Sequence, residues 1–248
     1  MKGFITVLST EEYIPGVLTL IQSLKNVQSK FPVYLLCTIS LNEGQQERLR
    51  NSGYKIIPSC HPFTLPAKIL SNISNHHWRH TFAKLELFSL AGFEKLIYLD
   101  ADMIVCRNID HLFNFPHLTF STGSAQIKGY EDWILPNSGL MILSPKTELD
   151  IQIFNTWQIV AMNKPNFGDQ DLIHEYFKSY FIDQPHWRIS TQYNCFVFLI
   201  DEIIKQRNFN FNFSKPNDDT IYILHFALRN RPWQMSLFSQ IIYLLKCI

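Results

Sequence analysis

Asp100 and Asp102 follow directly on an apolar run, Lys95-Leu-Ile-Tyr-Leu99. In an extended chain residues i and i+2 point to the same side. The two carboxylates can therefore converge just beyond the carboxyl end of a strand, where open α/β sheets bind ligands. A carboxylate pair at that place suits a hard divalent cation, Mn²⁺ or Mg²⁺, that also coordinates phosphate oxygens. Such a cation neutralises charge developing on a departing diphosphate. The triplet Asp-Ala-Asp is short, and two solvated loop aspartates would carry the same letters. A second candidate is His225, at the end of the late apolar run Ile221–Leu224. A third is Asp169-Gln170, at the start of a helical pattern, where an early Asp also suits a helix N-terminus.

These residues need a sheet beneath them. Phe4–Leu8 reads as a buried strand, and Ser9–Glu12 as a polar turn. Val17, Leu20, Ile21 and Leu24 then recur at helical spacing. Val33–Thr38 is a second strand, Glu43–Asn51 a polar helix and Lys55–Ile57 a third strand. That alternation implies a parallel sheet with crossover helices, as in nucleotide-binding α/β folds. Ser59–Asn75, with two prolines, reads as a loop over the sheet. Further on, Thr81–Leu90 is expected as a helix, Lys95–Leu99 and Leu140–Leu143 as strands, Glu148–Met162 and Asp169–Tyr180 as helices, and Ile221–Leu224 as a late strand. No repeat or low-complexity linker divides the chain, so one domain is expected.

Composition narrows the field. With 22 basic and 21 acidic residues among 248, the net charge is +1, which offers no basic stripe for nucleic acid. The five cysteines are odd in number and form no CxxC pair, arguing against a disulfide scaffold or structural zinc and for a reducing compartment. No N-terminal stretch reads as a signal peptide, and no apolar run reaches the length of a membrane span. A cytoplasmic protein is the expectation. His76, His77 and His80 match no metal spacing and read as loop or surface residues.

The block Lys95–Phe113 resembles family 8 retaining glycosyltransferases, of the glycogenin and galactinol synthase type: a hydrophobic strand enters Asp-x-Asp, an apolar run follows, and Asn108-Ile-Asp-His-Leu-Phe113 closes it. Phe4–Gly16, Lys84-Leu85, Asn137-Ser138-Gly139, Gly168-Asp169-Gln170, Gln192-Tyr193-Asn194 and His225–Trp233 resemble further blocks in the family's order. The resemblance implies a GT-A type α/β fold, a Rossmann-like mixed central sheet flanked by helices in one domain over residues 1–235. It implies an Mn²⁺ (or Mg²⁺) site of Asp100, Asp102 and His225, and a UDP-sugar donor held by Leu8, Ser9, Thr10, Tyr13, Lys84, Ala101, Asn137, Ser138, Asn194 and Arg231. Within that set Tyr13 would stack on the base and Tyr193-Asn194 would line the sugar pocket. Asp169 would orient sugar and acceptor, and Gln170 would face the sugar's reactive side. The activity implied is retaining transfer of a hexose, glucose or galactose, to a glycan, polyol or glycoconjugate acceptor. A nucleotide-sugar- or glycan-binding protein with weak turnover is the alternative. A nucleotidyltransferase would want a Gly- and Arg-rich first loop, and Ser9–Tyr13 has neither residue.

The pattern also departs from the family. Arg231 stands at a usual lysine, exchanging a point charge for a planar fork. Leu228 replaces a glycine where backbone approaches phosphate. Asn166 replaces an aspartate, and Cys195–Asn217 lacks the tyrosine that self-glycosylation would use, so an external acceptor is expected. Residues 236–248 have amphipathic helical spacing, for packing on the domain or for peripheral contact at the inner face of a membrane. A homodimer is compatible with this pattern.

Overall fold

A computed structural model describes residues 1–60, 63–74, 76–122, 127–130, 135–183, 187–212, 215–227 and 231–234. The opening alternation is β1 (Lys2–Leu8), α1 (Ile14–Asn26), β2 (Val33–Cys37), α2 (Glu43–Asn51) and β3 (Tyr54–Pro58). α2 starts on a capping box: Gln45 N donates to the Asn42 side chain, and Asn42 N donates back to that of Gln45. Both exchanges satisfy amides that the helix leaves open. Next come α3 (Ala67–Asn72), a 3₁₀ helix over His76–Phe88, β4 (Lys95–Leu99), β5 (Met103–Val105), β6 (Thr119–Thr122) and β7 (Pro136–Leu143). The chain continues through α4 (Leu149–Phe154), α5 (Trp157–Asn163), α6 (Asp169–Asp183), β8 (Arg188–Ile189), β9 (Cys195–Phe196), α7 (Ile200–Arg207) and β10 (Ile223–His225).

The main sheet has seven strands in the order β3-β2-β1-β4-β7-β6-β8. β1 lies parallel to β2 and β4, whereas β7 is antiparallel to β4 and β6. The sheet is therefore mixed, as expected. Side chains alternate across it with the period of two that strands impose. Ile5, Tyr34, Leu36, Leu96, Tyr98 and Met141 enter the core beneath the 3₁₀ helix, α4 and α6. Phe4, Leu8, Leu35, Ile97, Leu99 and Leu140 enter the core on the α1 side. Burial on both faces explains why these strands read as continuous apolar runs. A second, three-stranded sheet, β5-β10-β9, stands beside the first.

Several elements differ from the sequence expectation. The helix expected at Thr81–Leu90 is 3₁₀ over His76–Phe88. Its buried Phe82, Leu85 and Phe88 recur every third residue, the repeat of a 3₁₀ turn. The expected loop Ser59–Asn75 contains α3. The single helix expected at Glu148–Met162 divides into α4 and α5 at Asn155-Thr156, where Thr156 Oγ1 donates to Ile153 O at 2.7 Å. β7 starts at Pro136 and takes in Asn137–Gly139, and the late strand is Ile223–His225, so His225 lies within it. The segment 236–248 and Leu228 lie outside the described residues. Among those residues no helix is long and apolar enough to cross a membrane.

Candidate active site

Strand order gathers the candidates at one edge. β1 and β4 are parallel neighbours, so Leu8–Thr10 and Asp100–Asp102 leave the sheet at the same end. β7 runs the other way beside β4, pairing Leu99 with Leu140, which places Asn137–Gly139 at that end too. The small sheet supplies the last partner: β10 pairs with β5, His225 against Met103, immediately after Asp102. Phe226 N also donates to Asp102 O at 2.8 Å.

His225 Nε2 lies 3.2 Å from Asp102 Oδ1 and 3.7 Å from Asp100 Oδ2. One ligand atom from each of the three residues falls within a span of 4.8 Å, the reach of donors sharing one divalent ion at about 2.0–2.6 Å each. Two carboxylate oxygens and an imidazole fit Mn²⁺ or Mg²⁺ by hardness, with the nitrogen favouring Mn²⁺. The donor set and spacing fit such an ion, and these side chains would hold it.

Cations surround the carboxylates. Lys84 Nζ is 2.8 Å from Asp100 Oδ1 and 3.6 Å from Asp169 Oδ2, so one buried ammonium links the two acids. Burial would lower the Lys84 pKa, but Asp100 and Asp169 hold it above its usual value. The Tyr98 hydroxyl donates to the same Asp100 oxygen, and Lys84 rides over the Tyr98 ring at 5.3 Å. Burial, then Asp100, pushes the Tyr98 phenol up. Arg231 Nε reaches Asp102 Oδ2 at 3.4 Å. Burial would raise the Asp102 carboxyl, yet His225, Arg231 and Lys84 together hold it below the usual range.

A second layer consists of amides. His225 Nδ1 is 2.7 Å from Asn194 Oδ1, and Asn194 Nδ2 donates to Asn137 Oδ1 at 2.9 Å. Gly139 N donates to that Asn137 oxygen as well, at 3.0 Å. Asn137 Nδ2 and Ser138 N both donate to Gln170 Oε1, at 3.1 and 3.0 Å. Gly139 has no side chain for a spatial reason: a Cβ there would lie 2.7 Å from His225 Cε1, 2.8 Å from Asn137 Oδ1 and 3.0 Å from Asp100 Oδ2.

The candidate residues thus meet, though several with partners other than those expected. Lys84 bridges Asp100 and Asp169. Arg231 lies 4.6 Å over the Tyr13 ring, and Trp233 meets that ring edge-on at 5.9 Å. Ala101 O and Trp233 crowd Gly16, where a Cβ would stand 2.4 Å from the carbonyl. Leu8 is fully buried, as is Asn194, whose amide is engaged at both ends. Tyr193 turns away from the cluster to hydrogen-bond His111 and stack on Tyr222. Asn166 Oδ1 accepts Ser74 N at 3.2 Å. His80 is exposed, and the side chains of His76 and His77 lie outside the described residues. Thr10 Oγ1 and Trp233 Nε1 are buried with no hydrogen-bond partner among the described residues, and Asp169 Oδ2 has only its ion pair with Lys84. Tyr98 is the member the motif reading missed, although its position two residues before Asp100 puts it on the same strand face.

A mixed sheet of this order, with two carboxylates and an imidazole gathered at its carboxyl edge, is the GT-A fold. The solved galactosyltransferase LgtC, in complex with donor and acceptor sugar analogs, superposes over all of this chain and 95% of its own, with a TM-score of 0.65 and 14% identity. The chain belongs to glycosyl transferase family 8, whose sequence model matches residues 4–236. UDP-glucuronate:xylan alpha-glucuronosyltransferase 2 of Arabidopsis thaliana is 29% identical over 237 residues, 94% of this chain and 35% of that protein. Glycogenin of Neurospora crassa is 25% identical over 242 residues, 93% of this chain and 31% of that protein. The chain spans about a third of the length of these curated relatives.

Proposed function

We propose that this chain is a single catalytic domain, residues 1–235, that transfers a hexose from a UDP-sugar to a glycan, polyol or glycoconjugate with retention of configuration. The observation that carries the reading is the convergence of Asp100, Asp102 and His225, tied through Lys84 to Asp169. A bound Mn²⁺ would supply Lewis-acid stabilisation of the diphosphate as the sugar departs. Leu8–Thr10 and Ala101 form the backbone rim for the nucleotide, and Tyr13 offers its ring to the base. Arg231, already beside Asp102 and Tyr13, adds a fixed cation for the diphosphate. Asp169 orients the sugar and the incoming hydroxyl. Gln170, its oxygen engaged by Ser138 and Asn137, turns its amide N–H groups to the reactive face. The acceptor attacks on the side from which the diphosphate leaves, and a phosphate oxygen takes its proton, so no second carboxylate nucleophile is needed. Glucose and galactose are the donors proposed. The name of the xylan glucuronosyltransferase relative adds glucuronate to the panel worth testing.

The test is UDP release from a panel of UDP-sugars with Mn²⁺. Slow hydrolysis of one donor, lost in Asp102→Ala, is expected. A second reading, a nucleotide-sugar-binding protein with weak turnover, draws on Asn166, whose side-chain oxygen is occupied by Ser74 N instead of facing an acceptor. Tight UDP binding with no release in the presence of an acceptor library would favour it. Absence of metal-dependent UDP binding would sink both.

A further inference from the structure

The amide layer behind His225 has a fixed polarity, and two main-chain groups set it. Gly139 N–H can only donate, so the Asn137 atom 3.0 Å away is the oxygen. The Asn194 atom that meets this same oxygen at 2.9 Å must then be its NH₂. That leaves the Asn194 carbonyl oxygen against His225 Nδ1 at 2.7 Å. An amide oxygen accepts only, so Nδ1 carries the hydrogen. With that hydrogen fixed on Nδ1, Nε2 is the nitrogen that faces Asp102 Oδ1 and Asp100 Oδ2, and in the neutral ring a metal ligand must be, it presents its lone pair there. The other end agrees: Ser138 N–H can only donate, so the Gln170 atom it meets is oxygen, and Asn137 must present its NH₂ there. No amide in the chain can be reversed without setting two donors or two acceptors face to face, which in a buried site costs about 1–3 kcal/mol for each group left unsatisfied.

On the reading that this site binds a divalent cation, we propose that Asn194 is a positioning residue that holds His225 in the tautomer a metal requires and couples that ligand, through Asn137, to Gln170. Asn194 is fully buried and both ends of its amide are engaged within the protein, so it acts through its neighbours and not on the sugar. Histidine ligands of metals generally donate their second ring N–H to such a partner, which fixes the ring and its tautomer. The coupling reaches Gln170 because Asn137 is shared: its oxygen receives Asn194 and Gly139, and its NH₂ holds the Gln170 oxygen. Gln170 Nε2 is then the amide end available to a sugar.

Two substitutions separate the halves of this assignment. Asn194→Leu keeps the volume and removes both functions. Asn194→Asp keeps an acceptor for His225 Nδ1–H but can no longer donate to Asn137. Mn²⁺ titration by electron paramagnetic resonance on the full chain, with thermal melts to verify folding, reads the first half. Asn194→Leu is expected to lose about 10–100-fold in Mn²⁺ affinity, and Asn194→Asp to stay within about threefold of wild type. Steady-state UDP-sugar hydrolysis reads the second half. Asn194→Asp is expected to lose about tenfold in kcat with an unchanged donor KM, the mark of an interaction that matters in the transition state. Equal loss of Mn²⁺ affinity in both folded variants would reduce Asn194 to packing and overturn the proposal. Wild-type affinity in Asn194→Leu would overturn it as well, and so would wild-type kcat in Asn194→Asp. Failure of the underlying metal reading looks different: wild type itself would then bind no Mn²⁺, and both would fall.

Discussion

Gly139→Ala is the smallest change that tests the geometry of the site. The added Cβ would stand 2.7 Å from His225 Cε1, 2.8 Å from Asn137 Oδ1 and 3.0 Å from Asp100 Oδ2. A carbon contact is comfortable at about 3.5–4.0 Å, so the imidazole must retreat by close to an ångström. It has little room: His225 is 3% exposed, its ring centroid lies 5.0 Å from that of Phe196, and its backbone is pinned between β5 and β9. Overpacking of a tight site costs about 1–3 kcal/mol. Taken at about 2 kcal/mol and spent on the ligand positions, this is roughly a thirtyfold loss of Mn²⁺ affinity. Strand β7 itself should persist, because alanine is tolerated in the extended backbone at this position. The assay is Mn²⁺ titration by electron paramagnetic resonance, with urea unfolding of the metal-free protein alongside. Gly139→Ala binding Mn²⁺ as tightly as wild type would refute the claim that Asp100, Asp102 and His225 surround the ion.

Other perturbations have distinct signatures. Tyr98→Phe keeps the ring under Lys84 but takes the phenol donor from Asp100 Oδ1; a hydrogen bond to a charged group contributes about 1.5–3 kcal/mol, so Mn²⁺ affinity should fall by about tenfold and the melting temperature by several degrees. Arg231→Gln removes a cation that competes for Asp102; isothermal titration should show Mn²⁺ alone binding several-fold tighter and UDP binding weaker, and a fall in both would refute that competition. His117, His111 and His174 are held below their ordinary value by burial first, His117 at about 4 against 6.5. His117 Nδ1 accepts Ser144 N at 2.8 Å and so must stay neutral when folded. The unfolded chain takes up protons below about pH 6.5 that the folded chain refuses until about pH 4, so stability falls as pH drops through that window. Urea midpoints between about pH 7 and pH 5 should show this, with a shallower fall in His117→Gln.

Much of this was legible in the letters. The first three strands, the strand entering Asp100 and the placement of Asp102, Asp169 and His225 follow from apolar periodicity and from motifs in order. What was not legible depends on contacts between distant segments. Lys84 reads as a donor contact, but burial brings Asp100 and Asp169 to it and makes it their shared counter-ion. Tyr193 and Asn194 are adjacent letters expected to act together; a 3₁₀ turn over Thr191–Tyr193 sends one ring to His111 and the other side chain to His225. The division of α4 from α5 has no proline or glycine to announce it. Short strands such as β8 and β9 carry too few residues for any period to register.

The candidate ligands come from two sheets, and this matters beyond chemistry. Asp100 and Asp102 follow β4 of the main sheet, while His225 belongs to the small one. An ion shared among them would act as a rivet, joining separate pieces of secondary structure whose direct pairing is only a few residues long. Its binding energy would add to the work of prising the small sheet away, in proportion to the logarithm of ion concentration. Amide hydrogen exchange in β5, β9 and β10 would slow with added metal, while β1 and β2 kept their own pace. On that account the small sheet would be as firm as the ion supply made it.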